Sequence, residues 1–175
     1  MKKIVYILII IFAIVIGCKS SNGSNSGNKL IVNFESKSKS SVIGTATFFE
    51  KNGAVNFNAK ITGLTPGVHA IHIHEKADCT AADGSSAGGH WNPTFKKHGK
   101  WGDVEYHKGD IGNFTADENG NGTISLTTTE WCIGCADETK NILGKGLIVH
   151  AGTDDFTTQP SGNAGARVAC SGLIK

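Results

Sequence analysis

All seven histidines of this 175-residue chain fall between positions 69 and 150, and most of them lie in or beside one long stretch that has little strand pattern. The run HIH places His72 and His74 two residues apart. On a strand that spacing sends both imidazoles out of one face while Ile73 enters the core. The stretch that follows supplies His90, His98 and His107, with Asp110 three residues after the last of them, and His150 closes the set from a distant segment. Six histidines and a carboxylate brought together offer an imidazole site that suits copper and an imidazole-plus-carboxylate site that suits zinc. His69 has the wrong parity to share the HIH face and reads as a hydrogen-bonded core histidine.

Elements that could hold such a constellation are short strands. Twenty-three glycines and three prolines, with few long apolar periodicities, point to an all-β chain rich in turns. Strands are expected near 29–35, 42–50, 53–63, 68–75, 111–116, 122–128, 147–150 and 166–174. The third is the clearest, since Val55, Phe57, Ala59 and Ile61 alternate with Asn56, Asn58 and Lys60. Eight short strands make a Greek-key barrel or sandwich, and 175 residues suit one core. Residues 76–108 form a loop too long to be a simple connection, and its histidines give it a functional reading.

The amino terminus has a different composition. Lys2 and Lys3 precede an apolar run from Ile4 to Ile16, then Gly17 and Cys18. The run is too short to span a bilayer and reads, over residues 1–17, as a signal peptide. A cysteine at that junction resembles the lipid-attachment site of bacterial lipoproteins, although Val15 and Ile16 depart from the usual residues there; an ordinary cleavage site with an incidental cysteine is the other reading. Residues 18–28 read as a flexible tether with a reach of roughly 15–20 Å. The expectation is an exported protein of the cell envelope, held to a membrane through lipid on Cys18 and facing the periplasm. Removing the two lysines of the leader from the 17 basic residues leaves 15, against 15 acidic ones. A neutral body gives no reason to expect a nucleic-acid partner. Of the five cysteines, Cys79, Cys132, Cys135 and Cys170 follow Cys18, and an even number in an exported chain favours disulfides with three possible pairings.

The motifs HIHE, GGHWNP, KKHG, HKGDIGN, IVHAGTDD and GNAGARVAC, in this order and spacing across residues 30–174, resemble the signatures of the copper/zinc superoxide dismutases. The resemblance implies copper at His72, His74, His90 and His150, and zinc at His90, His98, His107 and Asp110, with His90 bridging the two. It implies Asp154 as the carboxylate joining His72 to His98, and a disulfide between Cys79 and Cys170. His90 would pass a proton in the reaction and Arg167 would dock the superoxide anion. Cys132 and Cys135 in WCIGC lie outside the family pattern; a local disulfide, a free thiol pair and an accessory metal site are all open for them. The alternative function is a protein that buffers or delivers copper on a dismutase-like shell. Strand faces of this fold pair in more than one way, so a homodimer is among the partners the sequence allows.

Overall fold

The computed structural model describes residues 27–175. The leader and Cys18, with the tether up to residue 26, lie outside the described residues. Among the described residues there are eight strands: β1 (Asn28–Ser36), β2 (Ile43–Lys51), β3 (Ala54–Thr62), β4 (Gly67–His74), β5 (Gly112–Ala116), β6 (Gly122–Thr128), β7 (Gly146–His150) and β8 (Arg167–Gly172). They close into an antiparallel barrel in the order β1-β2-β3-β6-β5-β4-β7-β8. Consecutive strands β3 and β4 are therefore not neighbours, and the chain crosses between them in Greek-key fashion. The strand ends match the sequence expectation to within two residues, and β6 coincides with it. Asn28, expected to end the tether, instead opens β1, pairs with Glu50 of β2 and donates from its side chain to the Glu50 carboxylate at 3.2 Å.

Alternation along β3 is as the sequence suggests: Val55, Phe57, Ala59 and Ile61 are buried and the residues between them are exposed. Phe48 and Phe57 pack with ring centroids 4.9 Å apart, and Trp131 caps them from the β6–β7 connection at 6.2 Å from each. Each such side chain fully removed from water contributes about 1.5–3 kcal/mol. The core continues through Ile71, Ile73, Leu147 and Val149 of β4 and β7.

β4 departs from alternation, because its last six residues, His69 to His74, are all buried. Its inward face meets the core, and its outward face is covered by the two long loops 75–111 and 151–166. Backbone hydrogen bonds sew the first loop onto the strand: Ile73 donates to the Gly109 carbonyl at 2.9 Å, Trp91 donates to that of Ile73 at 2.8 Å and Glu75 to that of Gly89 at 3.0 Å. The approach at Gly109 is close enough that a Cβ there would lie 2.1 Å from the Ile73 carbonyl oxygen, so only glycine fits.

Candidate metal centre

Three elements, β4, the 75–111 loop and β7, deliver the polar side chains to one place. β4 carries His72 and His74 outward side by side. An isolated bridge pairs His74 with His90, which brings the loop histidine beside the strand. His150 ends β7 at a register shift between Val149 and His150. The loop then returns His98, His107 and Asp110 to the far side of His90. All six histidines and Asp110 are buried.

Five of the six rings are fixed by one nitrogen and leave the other free. His72 Nε2 pairs with Asp154 Oδ2 at 2.8 Å, His74 Nδ1 donates to the Gly88 carbonyl at 2.9 Å, and His150 Nδ1 donates to that of Gly165 at 3.2 Å. His98 Nε2 pairs with Asp154 Oδ1 at 2.9 Å, and His90 Nδ1 faces Asp110 Oδ1 at 2.8 Å. What remains is a set of six buried ring nitrogens without a hydrogen-bond partner: His72 Nδ1, His74 Nε2, His90 Nε2, His98 Nδ1, His107 Nδ1 and His150 Nε2. Buried polar atoms are nearly always partnered, so six together require something to fill the role.

These atoms fall into two sets, His72, His74, His90, His150 and His90, His98, His107, Asp110, with the donor atoms of each lying within 4.8 Å of one another. His98 Nδ1 and His107 Nδ1 lie 3.0 and 3.2 Å from Asp110 oxygens, yet neither is oriented for a hydrogen bond. Buried, unpartnered and close to a carboxylate, they are available as donors to a cation. The donor chemistry agrees, with imidazole alone in one set and imidazole plus carboxylate in the other. Both sets fit metal ions.

Local electrostatics separate the two sets. Burial, aided by the neighbouring rings of His90 and His150, holds His74 well below the ordinary histidine range, and burial also lowers His90 to about 4 and depresses His150. These rings stay neutral and keep a lone pair for a metal. Around His98 burial is overcome by Asp110 and Asp154, which raise it to about 9. Both carboxyls, in turn, stay ionised, since their histidine partners outweigh burial and push them far down. Carboxylates that favour a proton on this ring favour a metal cation in the proton's place.

A cavity of about 400 Å³ opens onto His74, His90 and His150, and Arg167 stands on its wall. The guanidinium donates to the carbonyls of Gly84 and Gly88, each at 2.8 Å. Gly88 therefore accepts from both His74 and Arg167, so one carbonyl positions a ring of the first set and the cation beside it. Asp154 is held in turn by Asn113, which donates to its carbonyl at 2.8 Å and accepts from its N–H at 2.9 Å. A Cβ on Gly162, which lies over the Asp154–His98 pair, would fall 1.7 Å from Asp154 Oδ1.

The family model described as copper/zinc superoxide dismutase (SODC) matches residues 42–174. The chain belongs to this family. Among curated relatives, superoxide dismutase [Cu-Zn] 2 of Aquifex aeolicus is 37% identical, the match covering 77% of this chain and 80% of that one. Superoxide dismutase [Cu-Zn] 2 of Mesembryanthemum crystallinum is 39% identical over 76% of this chain and 86% of its own length. A solved structure described as the clock protein EA4 superposes with a TM-score of 0.73 at 33% identity, covering 87% of this chain and 98% of that one. Copper and zinc are the metals of the copper/zinc superoxide dismutases, which accords with a pure imidazole set beside a mixed one.

As in the resemblance to this dismutase family, Cys79 and Cys170 are bonded, closing a loop across a separation of 91 residues. Cys132 and Cys135 form a second, local disulfide, which settles among the three readings left open for them. His69 sits where parity places it, buried, with Nδ1 3.0 Å from the His150 carbonyl and Nε2 2.8 Å from that of Thr65. The structure brings the seven expected ligand residues together, with Asp154 bonded to His72 and His98 and Arg167 on the cavity wall, whereas Cys132 and Cys135 lie apart in the β6–β7 connection. The sequence reading missed the Gly88 carbonyl and Asn113. A backbone carbonyl has no residue-type signature, and an amide beside a loop gives no periodic one.

Proposed function

We propose that this chain is a superoxide dismutase, with copper held by His72, His74, His90 and His150 and zinc by His90, His98, His107 and Asp110. The carrying observation is that the six unpartnered ring nitrogens divide into two sets on either side of His90, and that the cavity over the first set has Arg167 on its wall. When bound, copper supplies the alternating one-electron redox chemistry by which two superoxide anions and two protons become dioxygen and hydrogen peroxide, while zinc, without redox chemistry, supplies charge and geometry.

The chain's own residues do the rest. Arg167 supplies the positive charge that draws the anion into the cavity, and its two bonds to carbonyls leave further N–H donors of its fork to dock it. His90 presents Nδ1 to the Asp110 side and Nε2 to the copper side, so Nε2 is the atom on which a proton is held and from which it is passed to the outgoing peroxide. Asp154 bonds His72 and His98 at once and so fixes the tautomer and direction of one ring in each set. His74 and His150 are aimed by carbonyl acceptors of the two covering loops.

A superoxide-consumption assay on protein loaded with copper and zinc, beside protein loaded with zinc alone, tests the reading. Activity is expected only in the first. Equal activity in the two would overturn it and leave copper buffering or delivery as the function.

Residues 1–17 we read as an export signal and Cys18 as the lipid-bearing residue of a protein tethered to the cell envelope and facing the periplasm. Support comes from the apolar run ending at Gly17 and the polar stretch after Cys18. Mass spectrometry of the membrane fraction should find an acylated amino-terminal cysteine. A soluble product that begins at another residue would rule this out.

A further inference from the structure

His98 lies in a segment with no strand neighbour, yet its backbone is paired as if it had one. The N–H of His98 donates to Gln159 Oε1 at 2.9 Å, and Gln159 Nε2 donates back to the His98 carbonyl at 2.9 Å and to that of Thr157 at 3.3 Å. One carboxamide thus does for a metal-loop residue what an adjoining strand does inside a sheet. The ring of the same residue is held from the same loop, through Asp154. Backbone and imidazole of His98 are therefore both gripped by segment 154–159.

That segment is braced by hydrogen bonds of its own. The Asp155 carboxylate accepts the N–H groups of Thr157 and Thr158 at 2.9 and 2.8 Å, and the N–H of Gly162 donates to the Thr158 carbonyl at 2.7 Å. The next two residues, Pro160 and Ser161, line the cavity that opens on His74, His90 and His150. Gln159 consequently stands between the wall of the substrate cavity and a residue of the second metal set.

We propose that Gln159 is a positioning residue of the metal centre: its carboxamide fixes the backbone of His98, and hence the aim of His98 Nδ1, and locks the Pro160–Ser161 wall to the metal loop. The inference rests on the reading of the second set as the zinc site. The demand on residue type is specific, since the position needs an acceptor for one backbone group and a donor for the other. Glutamate has the same length and an acceptor for the His98 N–H, but its ionised carboxylate has no donor for the His98 carbonyl and sets two acceptors against each other.

The test uses the full chain loaded with copper and zinc, as wild type, Gln159→Ala and Gln159→Glu. Three quantities are measured: the rate of zinc release to a coloured chelator, the visible bands of cobalt(II) substituted for zinc, and the melting temperature of the metal-free protein. Partners that orient a metal ligand typically change metal affinity 10–100-fold, and an exposed carboxamide belongs at the lower end, so release should be about tenfold faster in both variants. The cobalt bands should shift in both, a change that general loss of stability would not produce. Gln159→Glu with wild-type release and wild-type bands would overturn the proposal, whatever Gln159→Ala does, because the side chain would then only fill space. A wild-type protein that takes up no zinc would overturn the zinc reading and this inference with it. Wild-type zinc binding that is indifferent to both substitutions would overturn this inference alone.

Discussion

His90 is the one ligand shared by both sets, with Nδ1 facing Asp110 and Nε2 unpartnered on the other side. His90→Ala should therefore lower copper and zinc content together, measured by elemental analysis of the purified protein. Loss of copper with zinc affinity unchanged would mean that the bridge is misassigned. Arg167 differs, since it touches no ring directly. Arg167→Ala is expected to reduce turnover by about tenfold or more, and to weaken its dependence on ionic strength, by removing the charge that attracts the anion; superoxide dismutases are themselves the standard example of such steering. Arg167→Lys should fall between, because an ammonium keeps the charge without the planar fork that spans the carbonyls of Gly84 and Gly88. Metal content must be measured beside turnover, as freeing the Gly88 carbonyl also touches the partner of His74. Unchanged turnover in metal-replete Arg167→Ala would sink the docking role. The ligand residues were legible in the sequence because their chemistry is confined to a few residue types and their motifs carry it in order. Gly88 was not, because its contribution is a carbonyl that any residue possesses, made available by a backbone at φ 78°.

Among the elements, the metal loop is fastened to the barrel by more than its ligands. Tyr106 donates to the Glu130 carboxylate at 2.7 Å, Lys108 forms an ion pair with the same group, and the buried indole N–H of Trp131 donates to the Lys108 carbonyl at 2.9 Å. This strap flanks His107 on both sides. Burial, then the hydrogen bond to Glu130, raises the Tyr106 phenol from 10.0 to about 12. A raised phenol is stabilised in its neutral form, so the contribution of the strap is intact below the unfolded value and is lost as pH rises from about 10 through about 12. Because the other tyrosine is Tyr6, a chain that begins at Cys18 carries Tyr106 alone, and the ultraviolet absorbance of its phenolate can be titrated without overlap. The midpoint should lie near 12 and move towards 10 in Glu130→Gln; an ordinary midpoint in the wild type would show that the strap is not closed in solution. Strand positions were visible from alternation to within a residue or two, but β4 shows where alternation stops being informative. Its outward face is covered by loops that hold polar ligands, so exposure no longer distinguishes the faces, and residue type has to.

At the scale of the whole molecule, closure of the barrel was the least legible feature, since alternation assigns faces and not neighbours. The seam between β1 and β8 consists of two register pairs, Glu35 with Cys170 and Ser36 with Ala169. β5 meets β6 through a single pair, Ala116 with Gly122. Neither leaves a pattern that could separate a barrel from a sandwich. The Cys79–Cys170 disulfide lies at that seam: Cys170 is fully buried in β8, and Lys37, which follows β1, donates through Nζ to the Cys79 carbonyl and through its backbone N–H to that of Val168 at 2.9 Å. The bridge thus binds the metal loop to a seam that is held by two register pairs. In the chain-entropy account, a crosslink restricts the unfolded chain in proportion to the logarithm of the loop it closes. A separation of 91 residues then corresponds to about 4–5 kcal/mol and one of 3 residues to about 1–2 kcal/mol. Replacing both Cys79 and Cys170 by serine should therefore lower the unfolding free energy of the metal-free protein, measured by equilibrium urea titration, by about 3 kcal/mol more than replacing Cys132 and Cys135. The serine pair at 79 and 170 should also loosen the Gly84–Gly88 segment on which Arg167 rests, so that turnover falls along with stability, whereas the pair at 132 and 135 should leave turnover near the wild-type value. Equal losses of stability from the two pairs would show that loop closure does not govern the stability of this barrel, and that local packing around each bridge does.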